Sequence, residues 1–147
     1  MEDYKCIALV DGNLGLPDVL GKWTRPRGVG IESFFGLPDT MHALSLRTYP
    51  LILTTLRTAA GGYSSPEVRR VLYNPVGITF YMIGQIRQKS PNRETPIIVA
   101  DIVDPSDDLI FPNAESRSLE AGANRYFSLF DVGGDELSRE ILRLIHH

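Results

Sequence analysis

The sequence predicts an α/β domain: a doubly wound, five-stranded parallel sheet with helices on both faces, formed by residues 1–147 as a single domain. Five short apolar runs, 6–10, 29–35, 51–55, 96–100 and 125–130, alternate with five segments of helical character, 14–23, 38–48, 77–89, 115–121 and 135–145. Two of the runs, LILTT and PIIVA, are almost continuous in apolar or β-branched residues, the pattern of parallel strands covered on both sides. The chain has 147 residues, 43% of them hydrophobic and 22% charged, which suits one ordinary core and leaves little for a second.

The first run, CIALV, contains the only cysteine, Cys6. An unpaired thiol in an apolar strand reads as a small buried hydrophobe rather than a nucleophile. The stretch GNLGLPDVLG that follows resembles a glycine-rich phosphate loop in position only. It has neither the spacing nor the lysine of one, and Leu14 and Leu16 are ill suited to a polar ligand, so its glycines read as turn residues. The first helix is interrupted by Gly15, Pro17 and Gly21, so it is short or begins at Pro17, where a proline in the first turn costs little.

The second helix bears His42 without a histidine or cysteine at ligand spacing, which makes it a surface or packing residue. The third places Ile78, Met82, Ile83 and Ile86 on one side and stops at Ser90-Pro91. In the last, Asp135 and Glu136 complement the positive N-terminal end, and Leu137, Ile141, Leu144 and Ile145 form one stripe. Two connections, 56–76 and 101–114, are longer than compact domains need, and both leave the C-terminal ends of strands. Val71 and Tyr73 in the first of them are candidates for contact with a partner.

The formal net charge is −3 and the sequence pI about 5.6. No run of Lys and Arg interleaved with aromatics stands out, so neither nucleic acid nor an anionic membrane is an expected partner. The opening MEDYK is acidic where a signal peptide needs a positive region, and no apolar stretch approaches a membrane span, so a cytoplasmic location is expected. His146 and His147 are compatible with a purification-tag remnant and carry no functional reading.

In this order, the segments IALVDGN, YPLILTTLR, ETPIIVADI and SLEAGANRYFSLF resemble the receiver domain of bacterial two-component response regulators over nearly the whole chain. The resemblance implies a flavodoxin-like, three-layer receiver sandwich. It also implies a pocket at the strand ends, where an acidic pair and an aspartate closing the third strand hold Mg²⁺ and the aspartate accepts a phosphoryl group. Here the pair reads Asp11-Gly12 and the acceptor position falls on Thr55. A neutral hydroxyl neither attracts Mg²⁺ nor attacks phosphorus without a base. The family's hydroxyl residue after the fourth strand maps to Asp101, and its phosphate-pairing lysine to Leu129, which would leave a bound phosphate unpaired. Asp11, Gly12, Thr55, Asp101 and Leu129 therefore read as a vestigial phosphorylation pocket, with no catalytic residue, no resident metal and no cofactor.

Asp11 and Asp101, expected at adjacent strand ends, read either as a remnant cation site or as two loop caps. Tyr126 matches an aromatic position that the family uses as a switch; with no phosphorylation to drive it, a fixed packing role is the preferred reading, and Tyr126 also counts among the candidates for contact with a partner. The run RYFSLF is richer in large apolar groups than one inward face can bury, so Phe127, Leu129 and Phe130 are expected to supply part of an interaction surface. The resulting expectation is a non-phosphorylatable, non-enzymatic signalling module. Its partner would be a protein, either a signalling protein or another receiver-type domain, or a second copy of itself. The face would be that of residues 115–145. The alternative is a flavodoxin-like binder of a small molecule, or an enzyme, using the crevice at the C-terminal strand ends.

Overall fold

A computed structural model describes residues 5–11, 15–56, 58, 77–101, 113–129 and 133–146. Five parallel strands, β1 (Lys5–Val10), β2 (Val29–Phe34), β3 (Ile52–Thr54), β4 (Ile97–Asp101) and β5 (Arg125–Ser128), form one sheet in the order β2-β1-β3-β4-β5. The helices are α1 (Leu16–Thr24), α2 (Leu37–Leu46), α3 (Gly77–Lys89), α4 (Ala114–Ala121) and α5 (Gly134–Ile145), with a 3-10 turn at Arg25–Arg27. This is the doubly wound topology expected from the alternation of segments.

Both faces of the sheet are buried, and the pleat divides each strand between them. Ile7, Leu9, Leu51, Leu53, Ile98, Ala100 and Phe127 pack under α1 and α5, against Leu16, Leu20, Leu137, Ile141 and Ile145. Ala8, Val10, Ile52, Ile97 and Val99 pack under α2, α3 and α4, against Leu37, Leu44, Met82, Ile83 and Ile86. The four residues Ile7–Val10 of β1 are fully buried, as a central strand requires. Pro17 and Pro38 stand in the first turns of α1 and α2, where a missing N–H costs nothing.

Some boundaries and burials differ from expectation. The second strand stops at Phe34 and leaves Phe35 56% exposed. The fifth stops at Ser128. Cys6 is half-buried rather than core, because it lies at the start of β1 beside a cavity of about 420 Å³ lined by Lys5, Glu32, Arg47, Thr48 and Pro50. Burial, followed by the Glu32 carboxylate, raises its thiol pKa, which keeps it protonated and unreactive.

Candidate functional site

Parallel strands gather their C-terminal ends at one edge, and here the ladder runs on beyond the strands. The Asp11 N–H donates to the Phe34 carbonyl (3.3 Å), that of Thr55 to Val10 (3.1 Å), and that of Leu129 to Asp101 (2.9 Å). Asp11, Thr55, Asp101 and Leu129 are thus set along the sheet's C-terminal edge, where the sequence places the vestigial pocket. Gly12 lies outside the described residues.

Thr55 and Asp101 are fully buried. Register explains what the aspartate does. Thr54 pairs with Val99, so Asp101, two residues on, is level with Leu56, and its Oδ2 accepts the Leu56 N–H at 2.7 Å. A carboxylate is a stronger acceptor for that buried N–H than a hydroxyl would be. Below it, the Thr55 carbonyl receives the Thr54 hydroxyl at 2.9 Å and the Thr79 hydroxyl of α3 at 3.3 Å. Thr79 Oγ1 also lies 2.8 Å from the Thr58 hydroxyl and accepts the Thr58 N–H at 3.2 Å. The chain leaving β3 is therefore tied down by Asp101 on one side and Thr79 on the other. Thr79 gave no signal in the sequence, where its helix reads only as an apolar stripe.

The expected adjacency of Asp11 and Asp101 is corrected by the strand order. β3 lies between β1 and β4, so those strands are two spacings apart, roughly 9–10 Å. Asp101 acts as a loop cap. Among the described residues, no group of three or more His, Cys, Asp or Glu could hold a metal ion.

The expectation for the fifth strand is also revised. Phe127 is a core residue, 9% exposed, with the Arg125 guanidinium 5.1 Å from its ring centroid, so it is not available as an interaction residue. Leu129 packs partly buried on the same core cluster, and Tyr126 packs against the opposite one. Both faces of β5 are covered, which is how so apolar a run is accommodated. Phe130, Val71 and Tyr73 lie outside the described residues. On this side of the molecule Glu140 of α5 bridges Arg125 and Arg143, and its hydrogen bond to Arg143 holds its pKa below the ordinary carboxylate value.

The opposite edge holds two polar hubs that the sequence reading missed. Asn92 is fully buried and uses its whole amide. Nδ2 donates to the carbonyls of Leu44 and Arg47 at 2.9 Å each, and Oδ1 accepts from the Tyr49 N–H at 2.7 Å and the Thr95 hydroxyl at 3.1 Å. Arg87 donates to the carbonyls of Gly122 (2.9 Å), Arg93 (2.9 Å) and Thr95 (2.8 Å) and to Asn124 Oδ1 (2.8 Å). Nearby, the Tyr49 hydroxyl donates to Glu32 Oε2 at 2.7 Å while Arg47 pairs with Oε1 at 2.7 Å. Burial first, and then that hydrogen bond to Glu32, push the Tyr49 phenol up to about 12.

No protein-family profile matches the sequence, and no curated protein does. Solved structures do. The chain is similar to a two-component response regulator from Clostridium difficile, with a TM-score of 0.69 at 12% identity, 97% of each chain being covered. It is similar to the receiver domain of a sensor histidine kinase from Pseudomonas aeruginosa, with a TM-score of 0.68 at 19% identity over 99% of this chain and 100% of that one. That structure has a magnesium ion coordinated in its active-site cleft. An orphan response regulator of H. pylori matches with a TM-score of 0.64 at 15% identity, 96% of each chain being covered. With TM-scores of 0.64 to 0.69 and near-complete mutual coverage, the chain has the fold of response-regulator receiver domains.

Proposed function

We propose that the protein is a pseudo-receiver, a signalling module that works by contact with a protein partner and takes no phosphoryl group. One observation carries this reading: the end of the third strand, the acceptor place in the resembling family, is occupied by the fully buried neutral Thr55, next to Leu56, whose N–H is held by Asp101. The row contains Leu129 where a phosphate would need a cation. The candidate docking face is that of residues 115–145, on which Leu119 is 44% exposed and Tyr126 half-buried.

The test is incubation with acetyl phosphate and Mg²⁺, followed by intact-mass measurement, with Mg²⁺ and beryllofluoride titrated in parallel. No mass gain and no change in the unfolding midpoint are expected. A stoichiometric, hydroxylamine-labile gain of one phosphoryl group would overturn the proposal.

A further inference from the structure

Although the chain is acidic overall, the end of α1 and the turn after it present a local concentration of positive charge. Lys22, Arg25 and Arg27 are exposed and surround Trp23, the one tryptophan. Among the described residues, none of these three cations takes part in an ion pair.

Both guanidinium groups lie close to α1. The side chain of Arg25 folds back over Gly21, one turn earlier, where a Cβ would come within 3.3 Å of its Cζ and Nε. Arg27 donates from Nη1 to the Trp23 carbonyl at 2.8 Å and lies 5.5 Å from the centroid of the Trp23 ring, leaving its other N–H groups for a ligand. A favourable helix C-terminus explains a cation at Lys22 but not two further arginines beyond the helix. Arg25 also lines a cavity of about 240 Å³ between α1 and the outer strand β2, together with Pro17, Thr24, Val29, Gly30 and Ile31. Two exposed planar forks, neither in an ion pair among the described residues, suit the carboxylates of an acidic segment.

We propose that this patch is a docking site for an acidic segment of a partner protein, with Arg25 and Arg27 binding its carboxylates and Lys22 adding to the local positive charge. The surface is separate from the strand-end pocket and from the 115–145 face, so it stands or falls independently of the reading given above.

Trp23 is a built-in reporter. The probe is a blocked heptapeptide of Asp and Glu, titrated into the intact protein at low salt while Trp23 emission is followed. The expected result is saturable binding, weakened at least tenfold in R25E/R27E and severalfold by raised salt. Gly21→Ala separates position from charge: it keeps every cation, favours the helix, and displaces only the flexible end of Arg25. It is expected to fold as the parent does by circular dichroism and to bind the peptide severalfold more weakly. The proposal is overturned by any of three results: no saturable change in emission, equal binding by G21A and R25E/R27E, or tighter binding of double-stranded DNA or of phosphatidylserine vesicles than of the peptide at equal salt.

Discussion

Replacing Asn92 tests whether a single amide joins three elements at the N-terminal edge of the sheet. Its two donors satisfy carbonyls at and just beyond the end of α2, which no helical N–H can reach, and its oxygen satisfies the N–H of Tyr49 on the approach to β3. In Asn92→Ala the Tyr49 N–H and the Arg47 carbonyl lose this partner, while Leu44 keeps only a long 3.4 Å bond from Ser90. At about 1–3 kcal/mol for each buried group left unsatisfied, with part of the cost relieved by water, the expected loss is about 2–4 kcal/mol. For a domain of this size that lowers Tm by roughly 5–15 °C.

Asn92→Asp keeps the shape and the acceptor bonds but turns an oxygen toward two carbonyls at a helix C-terminus. At pH 7 it should cost more than the alanine, about 3–5 kcal/mol. Burial beside those carbonyls raises the folded-state pKa of the new carboxyl above its unfolded value, so the folded state binds the extra proton. The aspartate variant therefore regains stability as pH falls from 7 toward 4.5, where a protonated carboxyl can donate one of the two lost bonds. Urea unfolding at both pH values, followed by Trp23 emission and far-UV circular dichroism, gives the comparison, with the m-value unchanged throughout. An alanine variant within about 1 kcal/mol of the parent, or an aspartate variant insensitive to pH relative to the parent, would refute the reasoning.

Arg87→Lys should be nearly as damaging as Arg87→Ala, by about 2–3 kcal/mol in urea unfolding, because one ammonium cannot reproduce a planar group reaching four oxygens on two turns. A lysine variant as stable as the parent would show that charge alone suffices there. Tyr49→Phe should cost about 1 kcal/mol below pH 10, since the phenol is held protonated against Glu32. The tyrosine's folded pKa is raised, so its contribution is complete below its unfolded value near 10. It is lost as pH rises toward about 12, and the gap between parent and variant in urea midpoint should close over that window. A gap that is constant from pH 8 to 11.5 would contradict this.

The arrangement of layers was legible in the sequence because it depends on local pattern. Nearly continuous apolar or β-branched runs such as LILTT and PIIVA suit parallel strands with both faces covered, and Pro17 marks a helix start wherever the helix packs. The readings of Thr55 as the acceptor position and of Leu129 as the lysine position came from the resemblance to receiver domains and not from local pattern, which names no missing acid or cation. What required tertiary structure were partnerships across long separations. Asp101 could be aligned with a strand end, but its bond to Leu56, 45 residues away, follows from the register of β3 against β4. Its separation from Asp11 follows from the strand between them. Phe127 looked surplus in RYFSLF because one inward face was assumed, whereas β5 is covered on both. The cluster of Lys22, Arg25 and Arg27 was lost in a net charge of −3, a sum that keeps no record of place. Asn92 and Arg87 carry no motif at all: their importance lies in carbonyl groups that every residue possesses, and only the folded chain decides which of those are left without an N–H.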